Sequence, residues 1–203
     1  MKKVMIISSM LFIGMMMFNN VVAQNDDDFL NELDKLEQEG ARECWKHDLQ
    51  TYMYAKGYSD EKCSSKSVAR QSALEDCRRD LTERIEQVLD GAIKEAYEKQ
   101  GISLDSEEAN ARKSEIKSVF ERSLKKSLGI LDRCYVSIRW DKEKGNYSCI
   151  YYGRLPKAEF KKNVDTDFQN IDQKGVDESK LKKYVFDKIT SDVNNNVGEV
   201  EGE

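Results

Sequence analysis

The chain has 203 residues, 39% of them apolar and 35% charged, which suits one domain with a modest core. A single proline and eleven glycines exclude collagen-like and proline-rich architectures. A formal net charge of −5 argues against nucleic acid as a partner.

Lys2 and Lys3 precede an apolar run, Val4 to Phe18, and Val21 and Ala23 then stand at the −3 and −1 positions of a signal-peptidase site. This pattern predicts a secretory signal peptide over residues 1–23. As a helix the run would rise only ~22 Å, short of a ~30 Å hydrocarbon core, so no transmembrane anchor is expected after cleavage. The nearest following cysteine is Cys44, too late for a lipobox. The expected location is the periplasm or the exterior.

Residues 24–48 are expected to hold an N-terminal helix. Asp26, Asp27 and Asp28 complement its positive end, and Phe29, Leu30, Leu33, Leu36, Ala41 and Cys44 recur at helical spacing. A core domain is expected over 49–160. It opens with a strand over 49–58, where Tyr52, Tyr54 and Lys56 alternate with Thr51, Met53 and Ala55. Gly57 there suits a bulge or turn with positive φ, or a close backbone approach.

Ser64, Ser65 and Ser67 offer caps for a helix from residue 66 to about 99. Ala69, Ala73, Cys77, Leu81, Ile85, Val88, Ala92 and Ala96 form its stripe, small at the start and so suited to close packing against the sheet, on Val136, Ile138 and the inward residues of the second hairpin strand. Gly101 ends this helix. A second one carries Ala109, Ile116, Phe120, Leu124 and Leu128 and is closed by Gly129. Cys134, Val136, Ile138 and Trp140 then alternate, polar turn residues follow over 141–146, and Tyr147 to Tyr152 are β-rich. The pattern predicts a hairpin with Trp140 opposite Tyr147, Ile138 opposite Cys149 and Cys134 opposite Gly153. Pro156 stops the sheet. Residues 161–203 are expected to be a loop (Asn163 to Gly175), a terminal helix with Leu181, Val185, Ile189 and Val193, and a frayed acidic tail. The fold class is α+β: a small antiparallel sheet, one strand plus a late hairpin, covered on one face by long helices.

Five cysteines, Cys44, Cys63, Cys77, Cys134 and Cys149, leave at least one without a partner in the chain. Their spacing selects no pairing, although Cys134 and Cys149 would lie ~13 Å apart along the hairpin, which disfavours a bridge between them. There is no CxxC pair, and His47 is the only histidine, so zinc-ribbon and multi-histidine metal sites are not expected. Cys44 and His47, three apart, are the one thiol–imidazole pair, and no third orienting group accompanies them. Asp76 and Asp80 read as a solvated helix flank. The run Asp165-Thr166-Asp167 lacks the glycine and glutamate of a calcium loop.

No catalytic, cofactor-binding or metal-binding residue is therefore assigned, and no enzyme is expected. Two surfaces remain. One is the basic series Arg112, Lys113, Lys117, Arg122, Lys125 and Lys126, which interleaves with Glu115 and Glu121 as a solvated helix face does. The other is the aromatic set Tyr135, Tyr147, Tyr151 and Tyr152, with Trp140. Half of it must face the helices as core, and the other half would form an exposed strip suited to sugar or protein contact.

From Trp45 to about Phe160 the chain carries Tyr52-Met53-Tyr54-Ala55-Lys56-Gly57, Ala69-Arg70, Ala73, Asp80-Leu81, Ile85, and a hairpin around Arg139-Trp140 and Tyr147. This order resembles the twenty-kilodalton envelope lipoprotein family, whose domain is similar to the N-terminal domain of flagellar assembly protein T. Cys77 replaces the third alanine of that family's helix, and the lipobox cysteine is missing. The resemblance implies an envelope or surface protein without established catalytic residues. The expected function is that of an exported, non-enzymatic interaction or scaffold module whose partner is an envelope or extracellular protein. The alternative is a module that binds a glycan or small ligand through exposed hairpin tyrosines.

Overall fold

The computed structural model describes residues 35, 38–40, 42, 44, 49–60, 62–169 and 177–195. The signal peptide, most of the N-terminal helix and the acidic tail expected from the sequence lie outside these residues. The chain divides into two units, Met1–Glu39 and Gly40–Glu203. In the first, Lys35, Gln38 and Glu39 are helical and exposed. The second unit holds everything that follows.

Among the described residues seven elements run in the order β1 (Tyr52–Tyr58), α1 (Lys66–Lys99), α2 (Glu107–Leu128), β2 (Asp132–Asp141), β3 (Asn146–Pro156), α3 (Lys157–Phe168) and α4 (Glu178–Asn195). The fold is α+β, with a three-stranded antiparallel sheet in the order β1-β3-β2. Ser65 caps α1 by accepting from the Val68 amide, and Ser106 caps α2 by accepting from the Ala109 amide. Asp177 starts α4 in the same way, accepting from the Lys180 amide, and Gln100 holds Asp177 through both backbone polar groups.

The hairpin pairs Trp140 with Tyr147 and Ile138 with Cys149, as the alternation predicts. Its turn is made by Asp141, whose side chain accepts from the Glu143 and Lys144 amides, and by Gly145 at φ +63°. The expected pairing of Cys134 with Gly153 is corrected: Arg133 faces Gly153, and the register shifts between Arg133 and Tyr135, leaving Cys134 as the extra residue of a bulge.

The stripe on α1 is buried as expected from Ala69 to Ile85, with Leu89 rather than Val88 continuing it. The helix packs on β3, the second hairpin strand, as expected, and on β1, while Val136 and Ile138 of β2 lie to the side and remain only partly covered. The small residues make this contact very close. A Cβ on Gly57 would stand 2.2 Å from the Cys77 amide nitrogen and 2.3 Å from the Ala73 carbonyl oxygen. Gly57 does not have positive φ and makes no turn; it pairs regularly with Tyr151 inside β1. Its lack of a side chain lets the helix backbone touch the sheet. Gly129 likewise closes α2 in an ordinary right-handed conformation (φ −63°), not the left-handed one.

The loop expected over Asn163–Gly175 is corrected as well. Residues 157–168 form α3, which buries Phe160, Val164 and Phe168. Phe120 of α2 meets Phe168 and Phe160 edge-on at 5.5 and 6.4 Å between ring centres, and Phe186 of α4 joins at 5.7 Å from Phe160. Together with Leu181, Val185, Ile189 and Val193, all fully buried, these rings extend the same core past residue 160.

Candidate functional site

The four tyrosines that the sequence marks as a candidate surface do not share one. Tyr151 and Tyr147 lie on the helix-facing side of β3, Tyr151 buried in the core and Tyr147 half-buried with its ring 4.6 Å from that of Trp140. Burial, followed by the neighbouring Cys77, pushes the Tyr151 hydroxyl above the ordinary tyrosine range. Tyr135 and Tyr152 lie on the opposite side, stacked edge-to-face at 6.0 Å.

That opposite side is not open either. Gly40 is buried there, and a Cβ on it would stand 2.6 Å from the Tyr135 ring and 2.8 Å from the Tyr152 ring. One helical turn later Cys44 is bonded to Cys134 at the bulge of β2. The single covered face expected from the sequence thus becomes two: helices on one side, Gly40 and Cys44 on part of the other. Tyr152, beside Gly40, is buried at 7% exposure, and Tyr54 on the same face of the sheet is buried at 2%. The exposed strip of hairpin tyrosines is corrected accordingly. The exposed aromatic of the hairpin is Trp140, 48% accessible at the end of β2.

The disulfide also removes Cys44 as a nucleophile. A thiol paired with sulfur cannot work with His47, which lies outside the described residues. Cys63, Cys77 and Cys149 are free and buried. Burial pushes the Cys77 thiol up to about 12 and the Cys149 thiol up to about 11, so neither carries a reactive thiolate at neutral pH.

The carboxylates that read as a solvated flank have a definite task. α1 lies across the outer edge of β1, and a row of its side chains at spacing four satisfies backbone groups of that edge. Ser72 Oγ accepts from the Asp60 amide at 3.0 Å, Asp76 from the Tyr58 amide at 2.8 Å and Asp80 from the Lys56 amide at 3.3 Å. Arg84 then donates to the Tyr54 carbonyl at 2.5 Å, while also pairing with Asp80 and reaching the Val193 carbonyl of α4. Asn194 of α4 continues the row, donating to the Tyr52 and Leu49 carbonyls. A helix thereby stands in for a fourth strand.

Asp165 and Asp167 are separated onto two faces of α3. Asp165 pairs with Lys161 and Lys182. Asp167, 5% exposed, accepts from Ser123 at 2.9 Å and pairs with Lys126 at 2.5 Å. Burial would raise the Asp167 carboxyl, but the hydrogen bonds from Lys126 and Ser123 and the charges of Lys126 and Arg122 outweigh it and hold the group below the usual carboxylate range. Of the basic series on α2, Arg112 pairs with Glu108, Lys113 with Asp90 and Lys126 with Asp167. No group of three metal-ligating side chains gathers among the described residues. A cleft of about 310 Å³ between α3 and α4 has its charges paired internally, Lys161 and Lys182 with Asp165 and Lys183 with Asp187.

Sequence reasoning misses the α1 row, since its signal is only polar residues every fourth position on a highly charged helix. No family model matches the chain, and neither curated proteins nor solved structures yield a match. Among the described residues, no helix is long and apolar enough to cross a membrane.

Proposed function

We propose that this is an exported, non-enzymatic interaction module of the cell envelope or extracellular space, and that it meets a protein partner along β2. The observation that carries the reading is the exposed Trp140 at the end of β2, an outer strand of the sheet. β1 is closed off by the α1 row, whereas β2 ends in an exposed Trp140 beside the half-buried Val136, Ile138 and Tyr147. A strand edge with an aromatic anchor is a recurrent platform for an extended segment of another protein, because backbone hydrogen bonds give affinity and the ring gives a buried contact. The Cys44–Cys134 bond supports the oxidising compartment that the leader sequence suggests.

Two measurements test it. A reporter enzyme that works only outside the cytoplasm should become active when fused behind residues 1–30. Photo-crosslinking from position 142, exposed in the turn beside Trp140, should capture a defined envelope or extracellular protein in the producing cell, and Trp140→Ser should abolish that capture without changing the melting temperature. A silent reporter, or a cross-link pattern unaffected by the substitution, would remove the proposal.

A further inference from the structure

We propose that Cys63 and Cys149 form a second disulfide, leaving Cys77 as the one thiol without a partner among the five cysteines. The backbone brings the two together. β1 and β3 pair regularly as far as Tyr58 and Ile150, and Ser59 then meets Cys149: its amide donates to the Cys149 carbonyl at 2.9 Å, and its hydroxyl accepts from the Cys149 amide at 2.9 Å. After Lys62 the pairing resumes, with Cys63 bridged to Tyr147 through a 2.8 Å hydrogen bond.

Tyr147 and Cys149 point to the same face of β3, two positions apart, so Cys63 is the diagonal neighbour of Cys149 on that face. Both cysteines are 2% exposed and belong to one core cluster. Each thiol lies within electrostatic reach of the other, together with Arg70 of α1. Diagonal neighbours start ~7 Å apart, while a disulfide needs a Cα separation below about 6.8 Å, so closure takes a shift on the order of 1 Å. Asp60 and Lys62, which belong to no helix or strand, can absorb it. Cys77 cannot compete: its sulfur lies against Gly153, four residues and ~13 Å along β3 from Cys149.

The bond forms by thiol–disulfide exchange with a small disulfide such as oxidised glutathione. Cys63, which adjoins the exposed Lys62 and Ser64, attacks first as its thiolate; one glutathione sulfur becomes bound to it and the other leaves as a thiolate. The Cys149 thiolate then attacks the Cys63 sulfur and expels the second glutathione. One S–S bond is broken and one formed, and the two protons lost by the protein end on the two glutathione thiols. Because both sulfurs are buried, exchange takes place while the core is still open, during folding. The inference does not depend on the compartment, since the oxidant can be supplied to the purified chain.

The test is refolding of the full chain from urea in a mixture of oxidised and reduced glutathione. Remaining thiols are then alkylated in denaturant, and peptides are mapped without reduction. The expected result is one alkyl group, on Cys77, and a peptide pair joining Cys63 to Cys149; Cys77→Ala should keep that pair and show no alkylation. Alkylation of Cys63 and Cys149 in refolded protein at every glutathione ratio, or a bond that includes Cys77, would overturn the inference. Because the map reads each bond separately, absence of the Cys44–Cys134 pair would count against the compartment reading alone. Cys63→Ser serves as the control and should leave Cys149 open to alkylation.

Discussion

At Gly57 a single hydrogen in place of a methyl group decides how near a helix can lie to a sheet. Any Cβ there overlaps backbone atoms of Ala73 and Cys77, which no rotamer change can relieve. Gly57→Ala is expected to cost at least ~3 kcal/mol, the upper end for overpacking, because α1 must move as a body. Urea denaturation checks this, and an unchanged midpoint would mean that the helix has slack. Leu81, fully buried on the same helix, gives the opposite kind of perturbation: Leu81→Ala should cost about 2–5 kcal/mol through the cavity it leaves.

Asp167 supplies a prediction that depends on pH. Its folded-state carboxyl titrates below the unfolded value of roughly 3.9, so its contribution to stability is complete above that pH and is lost as pH falls through the lower, folded value. Asp167→Asn should therefore be less stable than wild type near neutrality and should lose less stability below about pH 4. Chemical denaturation across that range tests the sign; parallel curves would show that another carboxylate carries the acid response.

Among the elements, those with strong periodicity are legible in the amino-acid sequence itself. The α1 stripe, the hairpin and most of its register follow from spacing four and from alternation, because each buries one face against a single neighbour. α3 is hidden. Its apolar residues, Phe160, Val164 and Phe168, do recur every fourth position, but the charged and amide residues between them resemble a loop, and Pro156 just before them reads as a stop when it is in fact the cap position of the helix. The tyrosines of β3 mislead for a different reason. β3 is the central strand and buried on both faces, so alternation there does not separate core from surface.

The role of Asp76 and Asp80 lies at the same scale. It depends on where α1 crosses β1, which no local pattern encodes. Replacing both by Ala removes the carboxylates that accept from the Tyr58 and Lys56 amides on the edge. Each lost bond should cost about 1 kcal/mol, and the exposed edge should promote association, seen as concentration-dependent light scattering. A variant that stays monomeric at all concentrations would show that the edge is protected by something else.

For the molecule as a whole, the Cys44–Cys134 bond joins residues 90 apart in sequence, from the segment before β1 to the bulge of β2. A closed loop of that length restricts the unfolded chain strongly, and its removal by Cys44→Ser should cost about 2–4 kcal/mol. The loss should be visible as a lower thermal midpoint, equal to that of the wild type under reduction if no other bond contributes. A larger fall on reduction than in the variant would point to a further bridge.

The helix that guards β1 also sets how long that strand can be. Four helical residues advance about 6.0 Å and two strand residues about 6.8 Å, so the two ladders act as a vernier that loses roughly 0.8 Å at each step. Between Ser72 and Arg84 the slippage reaches about 2.4 Å. The reach of the side chains grows along the same path, from the short hydroxyl of Ser72 through two aspartates to the long arm of Arg84. No natural side chain is longer than arginine, so one more step would leave the edge beyond the helix's grasp. At that point the duty passes to Asn194 on another helix, and the strand ends.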